Sequence, residues 1–385
     1  MTSTQETEHF ETVVIGGGQA GLAVGYHLTK RGHSCVILDA NERIGDSWRK
    51  RWPSLRLYSP ARADALPGMR FPAPPGSFPS GLEMADYLEA YAHELALPVR
   101  SGVAVDGLET NGDGYVVLAG ERRFEADNVV VATGVFQHDH RVIPAFAAEL
   151  DPRIRQFHSA DYRSPAQLQE GAVLVVGAAH SGGDIAYEVA RAGHRTVLSG
   201  RDTGQIPFDI EGRRARLIFP LLRFAATRIL TVKTPIGRKA KTKMRSHGGP
   251  LLRVKRGDLE DAGVERVVER TVGVEDGKPV LADGRVVDVA NVIWCTGFRN
   301  DYGWIRLPLP VDAEGFPEQR RGTVTSSPGL YFVGLPFLHS FASMLIIGAG
   351  RDGGRVAKHI LSQRSKGREP ANSRTQASAG QEIAA

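Results

Sequence analysis

About 160 residues apart, the chain carries two copies of one local design: an apolar run that breaks into a glycine-rich turn and resumes as a helix. In the first copy, Phe10-Glu11-Thr12-Val13-Val14-Ile15 reads as a buried strand. It is followed by Gly16-Gly17-Gly18-Gln19-Ala20-Gly21 and by a helix from Leu22 to Arg31. The turn is G-x-G-x-x-G, and each glycine has its own physical reason. Gly16 makes the tight turn, Gly18 lets backbone approach a pyrophosphate, and Gly21 lets helix and strand pack closely. Gln19 and Ala20 would offer helix N-terminal N–H groups to the phosphates. A second strand, Cys35–Leu38, runs into Asp39 and Ala40. Asp39 stands 23 residues after Gly16, where a carboxylate accepts hydrogen bonds from an adenosine ribose. Such a unit specifies a doubly wound α/β fold.

The second copy starts at Ala172-Val173-Leu174-Val175-Val176 and turns through Gly177-Ala178-Ala179-His180-Ser181-Gly182-Gly183-Asp184 into a helix from Ile185 to Ala192. Ala179 takes the middle glycine's place and adds one methyl where a pyrophosphate would approach. The next strand, Arg195–Leu198, ends in Ser199-Gly200-Arg201, a hydroxyl and a guanidinium where the first copy has a carboxylate. An arginine there pairs with a 2′-phosphate, which favours NADPH over NADH; the alternative is a solvated loop arginine. The first unit lacks such a cation, so FAD in the first and NADPH in the second is the economical assignment. Two further strands share one ending: Val129-Val130-Val131 runs into Ala132-Thr133-Gly134, and Asn291-Val292-Ile293-Trp294-Cys295 into Thr296-Gly297-Phe298. A small hydroxyl residue followed by glycine lets each strand leave the sheet sharply beside a bound cofactor.

Together these residues resemble the class B flavin-dependent monooxygenases over nearly the whole chain, from about Thr12 to about Ile360. Ile44-Gly45-Asp46-Ser47-Trp48 resembles the family's segment along the flavin. Leu55-Arg56-Leu57-Tyr58-Ser59-Pro60, the proline-rich Phe71–Pro75 and a helix over Met84–Tyr91 resemble the YUCCA-type branch and its bacterial relatives. Phe157-His158-Ser159-Ala160-Asp161-Tyr162 resembles part of the family fingerprint, and Gly329–Gly334 the last strand, whose end touches the flavin. The chain departs from the pattern at Pro152 and Ile154 before His158, at His180 where asparagine is usual, and around Tyr58–Pro60, where an asparagine is missing. The resemblance implies an FAD- and NADPH-dependent monooxygenase. It would insert one atom of O2 into a small organic substrate through a C4a-(hydro)peroxyflavin. It also adds Ser47, Trp48, Leu57, Ala132, Thr133, Gly134, Thr296, Gly297 and Gly334 to the cofactor-facing residues. The candidates for a catalytic role are His158, Tyr58 and Ser59, with His158 equally readable as a cofactor-positioning or structural histidine.

The expected organisation is two Rossmann-like dinucleotide-binding domains, the second inserted in the first. The FAD domain would span 9–164 and 287–365 and the NADPH domain 165–286, with a flexible N-terminus over 1–8 and a disordered tail over 366–385. Asn111-Gly112, Asp113-Gly114, Asp276-Gly277 and Asp283-Gly284 mark hairpins. Two cysteines, Cys35 and Cys295, lie in separate apolar runs, which argues against zinc, a disulfide framework and a disulfide reductase. A polar, acidic start without an apolar h-region makes cytoplasm the simplest address. Between Arg201 and Arg256, 15 Lys and Arg face 3 Asp and Glu, a balance of +12 that leaves −7 for the rest of a chain of +5. This block suits peripheral membrane contact, NADPH or solvent, and no nucleic-acid module accompanies it. Two alternatives stay open: an NAD(P)H-dependent flavoprotein reductase or oxidase without oxygen insertion, and a flavin-binding regulatory protein. The substrate and the oligomeric state are not encoded in any motif.

Overall fold

The structure, a computed structural model, describes residues 7–137, 140–246 and 248–364. Its first sheet is built from β1 (Thr7–Ile15), β2 (Cys35–Leu38), β3 (Val99–Arg100), β4 (Gly107–Asn111), β5 (Gly114–Ala119) and β6 (Arg122–Val131) in the order β3-β2-β1-β6-β5-β4. Its second sheet combines β7 (Arg155–His158), β8 (Val173–Val176), β9 (Thr196–Ser199) and β10 (Glu265–Val267) with a later strand. A separate antiparallel hairpin follows, β11 (Thr271–Glu275) with β12 (Lys278–Leu281). β13 (Asn291–Trp294) completes the second sheet, in the all-parallel order β10-β9-β8-β13-β7. β14 (Leu330–Phe332) returns to the first sheet and pairs in parallel with Val129–Val131 of β6, whose earlier residues pair with β5. One edge of β6 therefore serves two partners.

The helices are α1 (Gln19–Thr29), α2 (Asp46–Arg49), α3 (Gly81–Glu94), α4 (His180–Arg191), α5 (Arg213–Phe224), α6 (Pro235–Ser246), α7 (Arg256–Asp261) and α8 (Ile346–Arg364). α3 starts at a capping box in which the Ser80 hydroxyl accepts from Glu83 N and the Glu83 carboxylate accepts from Ser80 N. α1, α3 and α8 cover one face of the first sheet, with Leu22, Val24, Leu28, Met84, Tyr87, Val356 and Ile360 among the buried side chains. In the second unit α4 and α7 do the same through Ile185, Ala186, Val189 and Leu259.

Several expectations need correction. Thr7 and Glu8, expected in a flexible start, belong to β1 and pair with Arg123 and Phe124. Strands 155–158 and 291–294, expected on the first unit's side of boundaries at 164 and 287, belong to the second sheet. β13 is fully buried and hydrogen-bonds to β8 on one side and β7 on the other, so it is an interior strand of that sheet. Both glycine-turn helices begin earlier than their apolar periodicity indicates, at Gln19 and His180. The expected turns fall at Asn111–Gly114, at Asp276–Gly277 and at Asp283–Gly284, where Leu281 N donates to Arg285 O. The tail 366–385 lies outside the described residues. Among the described residues, no helix is long and apolar enough to cross a membrane.

Candidate active site

Each sheet reverses its strand order beside its first glycine-turn strand, since β1 sits between β2 and β6 and β8 between β9 and β13. Crevices at such reversals are where doubly wound folds bind ligands. The two turns repeat one another in atomic detail. Gly16 has φ +111°, and a Cβ there would stand 2.7 Å from Ala132 O; Gly177 has φ +110°, and a Cβ would stand 2.4 Å from Cys295 O. A Cβ on Gly21 would meet Gly16 O at 1.9 Å, and one on Gly182 would meet Gly177 O at 1.7 Å. The protein's own backbone thus demands glycine at these four positions. At Gly18 a Cβ would meet nothing within 4 Å, so there the chain leaves open space beside the turn. α1 and α4 start from Gly18 and Ala179 with no side-chain cap and no acidic residue in the first turn, so their N-terminal N–H groups are available to an anion. The geometry fits a dinucleotide pyrophosphate at α1. At α4 the Gly248–Gly249 backbone lies close over the turn: a Cβ on Gly248 would be 2.8 Å from the Ala179 Cβ, and one on Gly249 2.3 Å from the His180 ring.

Asp39 is buried at the end of β2, where its carboxylate accepts from Gly17 N at 2.6 Å, Asn41 N at 2.8 Å and Asn41 Nδ2 at 2.9 Å. It braces the first turn from below. Gly334 brings the end of β14 to the start of α1, where a Cβ would lie 3.1 Å from Ala20 Cβ. Thr133 is exposed beside Gly134, Ala132 is buried, and Ala40 and Arg201 are exposed. Gln19, Ser47, Trp48, Ser181 and Gly297 are half-buried.

Three expected contributors have their polar groups committed elsewhere. Ser199 is wholly buried; its hydroxyl donates to Glu269 O at 2.9 Å and meets Thr271 Oγ1 at 3.0 Å, so it cannot present itself to a nucleotide. The Thr296 hydroxyl donates to Val142 O. His158 is buried, with Nδ1 accepting from Ala160 N at 3.1 Å, which leaves Nε2 to donate to Gly297 O at 3.0 Å. Burial holds its pKa below the ordinary histidine value. Both ring nitrogens are used to fix the exit of β13, which leaves neither free to exchange a proton in this arrangement.

The segment from Trp48 to Ser59 joins the two units. Trp52 and Leu55 pack in the core of the second unit, while Leu57 is buried in that of the first. The Tyr58 hydroxyl donates to Asp184 on α4 at 2.7 Å, and its ring lies 5.4 Å from that of His180. Burial, then the Asp184 carboxylate, raise the phenol's pKa well above its usual value, and burial also raises Asp184. Arg253 donates to Leu57 O at 2.6 Å, stacks over Tyr58 and pairs with Glu211. Ser59 donates to Asp64 at 2.5 Å. Asp64 is wholly buried, its second oxygen has no hydrogen-bond partner, and burial raises its pKa to about 7. Asp64, Asp184 and Arg51, which stacks against Trp48 and Phe136, are the residues sequence patterns did not single out. Of the three, only Asp184 stood inside a motif, at the end of the second glycine turn. Cys35 and Cys295 are free, lie in different sheets, and burial pushes both thiols up to about 12.

Two strand-turn-helix units of one design, joined by the Trp48–Ser59 segment, have the architecture of a dinucleotide-dependent oxidoreductase. A family profile described as pyridine nucleotide-disulphide oxidoreductase matches residues 13–211. An uncharacterized CzcO-like oxidoreductase of Geobacillus kaustophilus is 36% identical over 91% of this chain and 98% of its own length. Indole-3-pyruvate monooxygenase YUCCA1 of rice is 27% identical over 91% of each chain. Among solved structures, a flavin-containing monooxygenase from Stenotrophomonas maltophilia aligns with TM-score 0.74 and 27% identity over 92% of this chain and 99% of that one. The chain belongs to the pyridine nucleotide-disulphide oxidoreductase family, as an enzyme whose relatives are CzcO-like oxidoreductases and class B flavin-dependent monooxygenases.

Proposed function

We propose that the protein is an FAD- and NADPH-dependent monooxygenase that inserts one atom of O2 into a small organic substrate. The observation that carries this is the duplicated glycine turn, with uncapped helix N-termini on both units and open space beside Gly18. FAD would lie on the unit of β1–β6, β14 and α8, and NADPH on the unit of β7–β13, inserted between β6 and β14 in sequence. The chemistry the cofactors supply when bound is hydride transfer from NADPH to the flavin and activation of O2. The α1 N-terminus and Gly18 would hold one pyrophosphate, Asp39 would brace that turn, and Arg201 stands exposed to meet a 2′-phosphate. Tyr58, through Asp184, ties the flavin side to α4, and Trp48, Trp52 and Leu55 exclude water from the seam. Two thiols held neutral in separate sheets give no route to a disulfide relay, which supports oxygenation over disulfide reduction.

The test is anaerobic reduction of the flavoprotein by NADPH followed by rapid mixing with O2. The expected result is a long-lived absorbing species distinct from oxidised and reduced flavin, which NADP+ prolongs. Direct reoxidation with stoichiometric hydrogen peroxide, whatever substrate is offered, would move the assignment to a reductase or oxidase.

A lipid surface is proposed as a further contact. α5 exposes Leu217, Leu221 and Phe224, 81%, 66% and 55% accessible, on one helical face. The stretch 213–246 holds eleven Lys and Arg and no acidic residue, so the segment that carries the apolar stripe is cationic by sequence, the pattern of an interfacial helix on anionic lipid.

A further inference from the structure

Among the described residues, Arg51 is a cation with no counter-ion at the seam of the two units. Its guanidinium carbon lies over the Trp48 ring at 5.6 Å and over the Phe136 ring at 4.5 Å. Its Nε is shut from solvent and hydrogen-bonds to nothing, and among the described residues no carboxylate pairs with it. Burial pulls its pKa down to about 10, which still leaves it charged at neutral pH. Tyr58 is held neutral by burial and by Asp184, to which its hydroxyl donates, so it brings no negative charge to Arg51. Phe136 in turn meets Phe298 at 5.8 Å, and Phe298 meets His158 at 5.1 Å. An aromatic row thus leads from Arg51 past the exit of β6 to the exit of β13, so that the guanidinium stands where both units end their central strands.

Arg51 is half-buried with its Nε cut off from water, and ring faces return only part of the cost of that desolvation. Nearby arginines do find carboxylates: Arg49 binds Asp46, Asp86 and Glu89, and Arg253 binds Glu211. A guanidinium that gives none of its N–H donors to the described residues keeps them for two-toothed bonding, the geometry that carboxylates and phosphates match. We infer that Arg51 is the binding site for an anionic oxygen group, a carboxylate or a phosphate, carried into the seam by a ligand. The inference rests on the proposal that this seam is the working cleft of a two-cofactor oxidoreductase. It adds that the cleft selects for negative charge.

The two sources of such a group are a substrate carboxylate and a dinucleotide phosphate, and one experiment separates them. The FAD-loaded protein and its Arg51→Met variant are titrated by calorimetry with phenylpyruvate, with phenylacetone, which replaces the carboxylate by methyl, and with NADP+. A charge-assisted hydrogen bond corresponds to roughly ten- to a hundred-fold in affinity. That loss is expected in Arg51→Met for one anion, with phenylacetone unchanged. Loss for phenylpyruvate assigns the site to substrate, and loss for NADP+ assigns it to the dinucleotide. Arg51→Lys, which keeps the charge but not the fork, is expected to recover only part of the affinity. The melting temperature of ligand-free Arg51→Met is expected to equal or exceed that of the parent, because a half-buried charge with no ion pair among the described residues has been removed. Unchanged affinity for both anions overturns the inference, as does a fall in melting temperature with all three ligands weakened equally, which would make Arg51 a packing residue. Flavin reduction by NADPH is scored on the same samples. Anion selectivity that persists without such reduction refutes the proposed activity and leaves the anion site standing.

Discussion

Replacing Asp64 by asparagine gives a direct measure of how strongly the interior beside Ser59 resists charge. Asp64 is wholly buried, accepts one hydrogen bond from Ser59 at 2.5 Å and leaves its second oxygen unpartnered, with its pKa raised from 3.8 to about 7. The folded state therefore holds this proton more tightly than the unfolded chain does. The stabilisation that follows is complete below pH 3.8, shrinks as pH rises, and is lost once pH passes about 7. At 1.36 kcal/mol per pH unit, ionising Asp64 in place costs about 4 kcal/mol by pH 8. Asp64→Asn keeps an acceptor for Ser59 and does not titrate; its buried amide adds a roughly pH-independent cost of about 1–3 kcal/mol. The difference between variant and parent should move in the variant's favour by about 3 kcal/mol between pH 4.5 and pH 8. At roughly 2 °C per kcal/mol for a chain of this size, that is about 6 °C in relative melting temperature, measured on the FAD-loaded proteins at one scan rate. A melting-temperature difference that stays flat across this range would mean that Asp64 ionises as a solvated carboxylate does, and the burial argument would be wrong.

Gly18→Val should abolish FAD binding while leaving soluble protein, since its Cβ enters only open space, whereas Gly21→Ala should abolish folding because its Cβ would stand 1.9 Å from Gly16 O; flavin absorbance and soluble yield report the two. Equal flavin content in Gly18→Val and the parent would refute the placement. Arg201→Ala should weaken NADPH roughly ten- to a hundred-fold and leave NADH unchanged, as measured by flavin reduction at varied coenzyme; equal losses for both would refute the 2′-phosphate assignment. The parent should sediment with anionic vesicles at low salt and be released by high salt, and Leu221→Glu should weaken this binding, since each basic residue near such a surface contributes about 1 kcal/mol. No sedimentation at low ionic strength, or a dimer that Leu221→Glu dissociates, would refute the lipid assignment.

The glycine turns were legible because their constraint is local: the left-handed φ of Gly16 and Gly177 and the backbone contacts of Gly21 and Gly182 arise within a single strand-turn-helix unit. Sheet membership was less so. Residues 129–134 and 291–298 read alike, but which sheet takes Asn291–Trp294 depends on strands more than a hundred residues away. Ser199 and His158 were of the right type and in the right place in the chain. What withdrew them was which neighbours their polar atoms found, Thr271 in one case and the backbone of Ala160 and Gly297 in the other. Arg51 and Asp64 left no sequence signal at all, because a polar atom shut from water without a partner, Arg51 Nε or the second Asp64 oxygen, is a property of the folded chain.

The shared edge of β6 also dictates an order of events during synthesis. Val129–Val131 wait for a partner that is made about 200 residues later, because β14 and the covering helix α8 come last in the described chain. At ribosomal speeds of roughly 5–20 residues per second, that interval is about 10–40 seconds. Within it, every strand of the second sheet emerges and can close on itself. The unit that begins the chain is thus the last to be finished, and a nascent chain halted near residue 300 would hold a complete second sheet beside an open apolar edge, a ready target for chaperones.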